Sequence, residues 1–171
     1  LPVAMTGWTF GAYRRTAANA GARDAALTLA EGLARFRWLT LQGKTGTGKT
    51  HLCAAIVIRR AERRLRSEYA VVPMLLNQLR DGYNNGAYHD TILRVQRMPL
   101  LILDDMGAGK GTAWADEQLY LILNDRHLNQ RETVIATNLT LGEIEPRLAD
   151  RMSSTKSGFG VIRSLTGGSQ R

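Results

Sequence analysis

The stretch GKTGTGKT, residues 43–50, decides the fold of this chain. It fits the pattern G-x-x-x-x-G-K-[ST], whose glycines let backbone N–H groups close on phosphate oxygens. We expect the side chain of Lys49 to reach the β- and γ-phosphates, and the Thr50 hydroxyl to hold a Mg²⁺ ion. The residues predicted to contact a nucleotide are Gly43, Thr45, Gly46, Thr47, Gly48, Lys49, Thr50 and His51.

The segments on either side of this loop match the setting in which the pattern binds phosphate. Residues 38–41 have the composition of a strand, and residues 51–56 have that of a helix. The free N–H groups and the dipole at a helix N-terminus attract the same negative charge as the loop. An ordinary glycine-rich loop is the alternative interpretation, and the flanking strand and helix disfavour it.

A second chemical signal ends the apolar run at residues 100–103. Such a run is typical of a strand buried on both faces, and ligands bind at the carboxyl ends of strands in open α/β sheets. We expect Asp104 to hold the Mg²⁺, through water or together with Thr50. We expect Asp105 to orient the attacking water and partly deprotonate it. A plain acidic turn is the alternative, and the presence of the phosphate loop disfavours it.

Residues 133–137 predict another buried strand, and Asn138 follows at its polar tip. If this strand lies beside the acidic one, Asn138 would stand near the γ-phosphate, where its amide can hydrogen-bond the attacking water. In isolation, Asn138 is only a turn residue.

The composition is that of a soluble globular protein with room for a core, at 171 residues, 44% hydrophobic and 22% charged. No apolar run approaches the length of a membrane span, and no secretory signal is present. We therefore expect no membrane partner and a cytoplasmic location. The single cysteine, Cys53, excludes an internal disulfide and fits a reducing compartment, and the three histidines give no zinc pattern.

The net charge of +8 favours phosphate polymers as partners, although a solvated basic face gives the same charge. Five arginines crowd the end of the helix expected to run from the loop to about Ser67. They are Arg59, Arg60, Arg63, Arg64 and Arg66. Cations complement a helix C-terminus, but five exceed what capping needs. A solvated helix end is the favoured interpretation, and contact with nucleic acid stays open.

Other segments predict a helix over about residues 16–35, a helix around residues 75–80, and a turn at residues 84–86. Upstream of the loop, Trp8, Phe10 and Tyr13 form an aromatic cluster. Such a cluster either packs beside an adenine or attaches an N-terminal arm to the core, and we favour the second.

The motifs, in their order along the chain, resemble those of one family. They are GKTGTGKTHL (43–52), LLILDDMG (100–107), VIATNL (134–139), PRLADRM (146–152) and GGSQR (167–171). Together they resemble the AAA+ ATPases of the DnaC/DnaI helicase-loader type, with the IstB transposition ATPases as close relatives. The resemblance covers nearly the whole chain, and its last two motifs are more specific than the first two, which many ATPases share.

The resemblance gives roles to three further residues. It implies that Asn138 is the sensor-1 residue, that Arg151 is an arginine finger completing a neighbouring subunit's site, and that Arg171 is the sensor-2 arginine contacting the nucleotide in cis. An arginine supplied across an interface neutralises transition-state charge and makes hydrolysis depend on assembly. Without the resemblance, Arg151 would be interpreted as a surface arginine. Arg147 is a weaker candidate for the same interface.

The fold implied is α/β, a doubly wound parallel five-stranded sheet of AAA+ P-loop type with strand order 5-1-4-3-2, helices on both faces and no full C-terminal lid. We treat residues 1–171 as one ATPase domain, a fragment without the N-terminal helicase-binding domain of loaders. In one departure from the pattern, Asp105 stands where many AAA+ proteins have Glu. In another, the sequence stops right after Arg171, which trimming could also produce.

The function implied is an ATPase that uses ATP/ADP and Mg²⁺, associates with itself through the ATP site, and places a hexameric replicative helicase on single-stranded DNA. The alternative is an IstB-type ATPase that regulates a transposase on duplex DNA; the segments TNLTLGEI and TAWADEQ favour the loader. A third hypothesis is a non-catalytic DNA-binding module with a relic nucleotide site. The intact Lys49, Thr50 and Asp104 argue against it.

Overall fold

The computed structural model describes residues 1–107, 111–153 and 159–166. Arg171 lies outside these residues. Within them, five strands form one sheet, and they are β1 (Trp38–Gln42), β2 (Ser67–Val71), β3 (Leu100–Met106), β4 (Glu132–Thr137) and β5 (Gly160–Ser164).

Neighbouring strands in this sheet all run parallel, in the order β2-β3-β4-β1-β5. The strand order predicted from the resemblance, 5-1-4-3-2, is therefore confirmed. In this order β1 and β3 flank β4. The loop after β1 and the carboxylates ending β3 therefore lie close together at the carboxyl ends of the strands, which we call the carboxyl edge of the sheet. Parallel strands place ligand-binding residues at this edge.

Six α-helices cover the sheet in the described part of the chain. They are α1 (Ala20–Ala30), α2 (Lys49–Glu62), α3 (Val72–Asn85), α4 (Tyr88–Arg97), α5 (Ala113–Leu128) and α6 (Pro146–Met152). One buried cluster joins α1 and α2 to one face of the sheet through Leu39, Leu41, Ile102 and Val134. The other joins α3 to α6 to the opposite face through Leu101, Leu103 and Ile135. Because both faces are covered, the central strands are apolar without alternation.

Several helix boundaries differ from the prediction. The first helix is shorter, because Asn19 bonds backbone groups of the preceding loop and Gly32 turns the chain at φ 73°. The loop helix α2 ends at Glu62, since Arg64 adopts a left-handed φ of 58°. The predicted turn at residues 84–86 falls mostly inside α3, which continues to Asn85 and is capped by Gly86 at φ 79°.

A buried arginine ties together the two central strands at their starting ends. The side chain of Arg126 in α5 is 0% exposed and donates hydrogen bonds to groups on α4, on the loop before β3, and on β4. Its acceptors are the carbonyls of Val95, Gln96, Met98, Pro99 and Glu132 and the Thr133 hydroxyl. Desolvation lowers the pKa of Arg126 to about 9, so the group remains a cation at neutral pH. No helix in the described part of the chain is long and apolar enough to cross a membrane.

Candidate functional site

The loop between β1 and α2 has the geometry of a phosphate cradle. Gly46 and Gly48 adopt φ values of 85° and 97°, which L-residues rarely reach, so glycine is required there. A Cβ on Gly43 would collide with the backbone oxygen of Leu165, because the chain at Leu165 passes close to the start of the loop. Glycine is therefore required at this position as well. The loop is held from within, because the Thr47 hydroxyl donates to the Lys44 carbonyl at 2.8 Å.

The loop offers free donors to an anion. The amides of Thr45, Gly46 and Gly48 donate no hydrogen bond to any described residue. The first amides of α2, from Lys49 onward, have no acceptor inside the helix either. Several convergent N–H groups at a helix start bind phosphate without any side chain.

Lys49 lies folded over the loop. Its Nζ donates to the carbonyl oxygens of Gly43 at 2.6 Å and Lys44 at 3.0 Å. Desolvation lowers the pKa of this ammonium, with Asp104 and Asp105 acting in the opposite direction. A partly desolvated cation held only by neutral carbonyls favours an anionic ligand, because phosphate oxygens replace carbonyl partners with charged ones.

Asp104 is 3% exposed, and its two carboxylate oxygens accept different hydrogen bonds. Oδ2 accepts from the Tyr69 hydroxyl at 2.7 Å, and Oδ1 accepts from the Asp105 amide at 2.9 Å. No described cation lies within ion-pair distance of it, although buried carboxylates usually have one. The Thr50 hydroxyl likewise has no hydrogen-bond partner in the described chain. A buried carboxylate without a cation and a free hydroxyl form a donor set that fits Mg²⁺.

Tyr69 is a residue that the sequence reasoning missed. It lies in β2 and pairs with Ile102, two positions before Asp104, so its ring is on the same side of the sheet. Burial, and then the hydrogen bond to Asp104, raise the pKa of Tyr69, so the hydroxyl keeps its proton for the carboxylate. The hydroxyl therefore fixes the orientation of Asp104.

Replacing Tyr69 with Phe should weaken metal-dependent nucleotide binding about tenfold, because removing one charge-assisted hydrogen bond is worth about 1.5 kcal/mol. Binding without Mg²⁺ should stay unchanged, since the loop is untouched. Titration calorimetry of ADP with and without Mg²⁺ measures both. Tyr83→Phe, an exposed tyrosine in α3, is the matched control. Equal losses with and without the metal would contradict the role assigned to Tyr69.

Asp105 is turned away from the strand by a bulge. The pairing of β3 with β4 shifts between Leu103 and Met106, and Asp105 has a left-handed φ of 59°. Its side chain is exposed, between the buried Asp104 and Met106. A non-glycine residue in this region costs about 1 kcal/mol, and bulges often re-aim side chains next to active sites. The bulge thus presents a second carboxylate at the mouth of the site.

Replacing Asp105 with Asn should leave nucleotide affinity within about twofold and lower hydrolysis at least about 100-fold, because Asn tolerates the left-handed backbone but cannot accept a proton. Steady-state phosphate release and nucleotide titration measure the two quantities. Asp81→Asn, in the exposed part of α3, serves as the control. Full turnover by Asp105→Asn would exclude this residue as the base.

The aromatic cluster packs around the residue after Thr50. The His51 ring stacks on Trp8 with centroids 5.5 Å apart and meets the edge of Tyr13 at 5.2 Å. Its Nε2 lies 3.0 Å from the Thr9 carbonyl oxygen. Phe10 and Tyr13 are buried in the core under α1 and α2. The favoured interpretation of an arm attached to the core agrees with these contacts, and His51 is its attachment point on the loop helix.

Asn138 is exposed directly after β4. The neighbouring Thr137 is buried, donates to the Met106 carbonyl at 2.7 Å and accepts from the Leu139 amide at 3.1 Å. Gln42 donates to the Leu139 carbonyl at 2.8 Å. These bonds join the ends of β1, β3 and β4, so they place Asn138 at the edge where the loop and both aspartates lie.

Arg151 is held by its own chain. Its Nε donates to Asn124 Oδ1 at 3.2 Å, its Nη1 lies 3.2 Å from Asp150 Oδ2, and its side chain is 28% exposed. Arg147 pairs with Glu117 at 3.2 Å and with Glu145 at 3.0 Å. No described residue of the phosphate loop contacts either arginine. Within this chain, neither arginine is therefore part of the described phosphate loop's contacts.

A separate cleft of about 710 Å³ opens on the α3–α5 side of the sheet, beside Met106 and Gly107. Apolar residues such as Leu76, Leu119 and Ile144 line most of it. None of the residues of the phosphate loop lines this cleft, so we do not assign the nucleotide to it.

Comparison with protein families gives a match over residues 25–156 to the model described as IstB-like ATP binding protein. This chain belongs to the IstB-like family. The match includes the phosphate loop, both aspartates, Asn138 and Arg151. Together with the sheet order, it identifies an AAA+ domain of the DnaC/DnaI type related to proteins of replication and transposition.

Two curated relatives, one from replication and one from an insertion sequence, are similar to this IstB-like chain. The replicative helicase loader DnaI of Bacillus subtilis is 32% identical over 108 residues, which is 63% of this chain and 35% of that protein. An insertion sequence IS1162 putative ATP-binding protein of Pseudomonas fluorescens is 31% identical over 114 residues, which is 64% of this chain and 49% of that protein. The IstB-like chain therefore spans only about a third to a half of the length of these relatives.

Solved structures share the fold of this IstB-like domain. The DnaC helicase loader superposes with a TM-score of 0.82 at 21% identity over 96% of this chain and 99% of that chain. A replication initiator DnaA bound to AMPPCP and single-stranded DNA superposes with a TM-score of 0.81 at 21% identity over 93% of this chain and 50% of that chain. At these identities the likeness establishes the fold alone.

Proposed function

We propose that this domain is a Mg²⁺-dependent ATPase that couples its nucleotide state to placing a hexameric replicative helicase on single-stranded DNA in the cytoplasm. The observation that carries the ATPase proposal is the pairing of a cradle of free amides with a buried carboxylate that lacks a cation. The phosphates of a nucleotide would accept hydrogen bonds from the free amides, and its metal ion would pair with the buried carboxylate. The helicase and DNA partners are proposed from the similarity to the DnaI loader.

The residues of this chain have separate roles in the proposal. The amides of residues 45–51 bind the phosphates, and Lys49 moves from its carbonyl partners to the β- and γ-phosphates. When bound, Mg²⁺ would neutralise charge on the phosphate oxygens. Thr50 and Asp104 would hold it, with Tyr69 keeping Asp104 in place. Asp105 accepts a proton from the attacking water, and Asn138 orients that water.

Two arginines complete the proposed site. Arg171 would contact the nucleotide in cis, and Arg151 would reach the site of a neighbouring copy in trans. The contacts of Arg151 to Asn124 and Asp150 are partly exposed, so exchanging them for phosphate oxygens at an interface loses little. Hydrolysis would then depend on self-association.

Replacing Arg151 with Ala should leave nucleotide binding unchanged. It should lower the rate of assembly-stimulated hydrolysis at least about 100-fold, as expected for an arginine acting in trans. The measurement is turnover per subunit as protein concentration rises, which should climb in the parent and stay flat in the variant. Arg147→Ala, on the same helix, is the comparison variant. If Arg147→Ala shows the loss and Arg151→Ala does not, the finger is Arg147.

A transposition regulator is the second candidate, because the family whose model matches is the IstB-like one. The two candidates differ in their partners. The deciding experiment compares capture of a replicative helicase with nucleotide-dependent binding of duplex DNA. Helicase capture with weak duplex binding supports the loader, whereas tight duplex binding without helicase capture supports the transposition regulator.

A further inference from the structure

The end of the sheet opposite the phosphate loop carries an unusual density of arginines. Because the strands are parallel, the loops that precede them converge there. Arg66 precedes β2, Arg131 precedes β4 and Arg37 precedes β1. The helices α1, α2, α4 and α5 also end at this side of the sheet. Exposed arginines in these loops and helix ends that form no ion pair with the described residues make up what we call the arginine surface. They are Arg35, Arg63, Arg64, Arg66 and Arg97.

The acidic residues around the arginine surface are already paired with other cations. Arg59 pairs with Glu31 at 2.6 Å and with Glu62 at 3.1 Å. Glu132 pairs with the buried Arg60 at 2.9 Å and with Arg37 at 3.9 Å. Asp125 pairs with Arg131 at 2.8 Å.

The five members of the arginine surface form no hydrogen bond or ion pair through their side chains with the described residues. Arg63 does act on Glu31 from a distance, since its charge adds to the hydrogen bond from Arg59 in lowering the pKa of that carboxyl. The charge of the other four members is left for another partner.

Helix dipoles do not account for these charges. A helix C-terminus carries about half a negative charge, so the four helix ends together call for about two cations. The last turns of α2 and α4 supply Arg59, Arg60 and Arg94, together with Arg97, which belongs to the arginine surface. Without Arg97, three cations already exceed the two that the helix ends call for. The members of the arginine surface come in addition to these, and Arg64 and Arg66 lie beyond the end of their helix.

The chemistry of the surface fits a phosphate backbone. Its members are all arginines, whose planar fork matches phosphate oxygens. Neighbouring strands lie about 4.8 Å apart, so the loops before β2 and β1 are separated by about 14 Å across the sheet. Along the axis of a duplex, each strand carries one phosphate per about 3.4 Å, so that distance corresponds to about four phosphates of each strand. The large exposed apolar residues described at this end of the sheet are three leucines, Leu33, Leu65 and Leu128, none of which offers a ring for base stacking.

We propose that the arginine surface binds the phosphate backbone of nucleic acid, without reading its sequence, at the end of the domain opposite the nucleotide. The proposal rests on the proposed function in taking DNA as a partner and goes beyond it in assigning the contact to these residues. The nucleotide would then lie at the carboxyl ends of the strands of the sheet, and the nucleic acid at their amino ends.

The test uses a triple variant that removes charge and keeps the backbone. Arg63→Gln and Arg66→Gln shorten the side chain, and Arg64→Asn places the residue that best tolerates the left-handed φ of 58° after glycine. The matched control is Arg15→Gln with Arg163→Gln, which changes exposed arginines outside this surface. Anisotropy of a labelled single strand and of the corresponding duplex is measured across a salt series, beside ADP affinity and sedimentation with phosphatidylserine vesicles.

We expect the triple variant to lose about tenfold or more in affinity and to show a salt slope shallower by about two to three, while the control changes by less than half as much. ADP affinity should be unchanged, which shows that the domain is folded. The preferred probe, single strand or duplex, identifies which form is bound.

Unchanged affinity and slope in the triple variant, an equal loss in the control, or a loss confined to the vesicles would overturn the assignment while the ATPase proposal stands. If the parent chain binds ADP but neither nucleic acid probe, the assignment and the proposed DNA partner both fail.

Discussion

Lys49→Ala is expected to weaken ATP and ADP binding about 100-fold or more. The Lys49 ammonium is half-buried and donates to the carbonyls of Gly43 and Lys44. When a nucleotide binds, these bonds would be exchanged for hydrogen bonds to negatively charged phosphate oxygens. Two hydrogen bonds to charged groups are worth about 3 to 6 kcal/mol, and each 1.4 kcal/mol changes affinity tenfold. Fluorescence titration with a labelled nucleotide measures the dissociation constant directly.

The control for this prediction is Lys44→Ala in the same loop. Lys44 is exposed, and only its backbone carbonyl enters the hydrogen bonds of the loop. Its charge is screened by solvent, so we expect a change below about threefold. If both variants lose affinity equally, the loss reflects the net charge of the loop and not a contact made by Lys49. An unchanged affinity in Lys49→Ala would remove the nucleotide from this loop.

Arg126→Met is expected to be the most destabilising single change outside the nucleotide site. The variant leaves the carbonyls at the end of α4 and the start of β4 without their shared donor in a position that is 0% exposed. Removing a buried cation that satisfies several acceptors costs about 3 to 5 kcal/mol. In a domain of this size, that lowers the melting temperature by about 10 °C, measured by thermal unfolding.

Two further variants separate the role of Arg126 from that of arginine in general. Arg126→Lys keeps the charge but has fewer donors in a different geometry, so it should recover only part of the loss. Arg131→Ala removes a partly exposed pair with Asp125 and should change stability by less than about 1 kcal/mol. If Arg126→Met melts as the parent does, water must replace the guanidinium among its acceptors.

The central part of the fold could be predicted because burial leaves a direct trace in composition. Residues 100–103 and 134–136 are apolar throughout since helices cover both faces of the sheet, and the strand order followed from the resemblance. Helix ends were less predictable. Arg64 stops α2 through its backbone angle, and the crowd of arginines concealed that boundary because arginine favours helix.

The candidate site was predictable where one segment carries the chemistry. The loop residues are consecutive in sequence, and so are the two aspartates. That both groups lie at the carboxyl ends of the strands follows from the parallel sheet. Tyr69 could not be found in this way, because its bond to Asp104 depends on the register of β2 against β3. In the sequence alone, a tyrosine in a short strand does not indicate a contact with a carboxylate on another strand. The bulge at Asp105 is likewise invisible, since no glycine marks it.

The phosphate loop is supported by segments from far away in the chain. On one side, the His51 ring stacks on Trp8 and contacts the edge of Tyr13. On the other side, the backbone of Leu165 donates to Gln42 at 2.7 Å and crosses closely over Gly43. A peptide of residues 38–62 grafted onto another scaffold would carry every letter of the motif and neither support. The nucleotide-binding shape is therefore a property of the whole folded domain, and the motif alone could not be transplanted with its affinity intact.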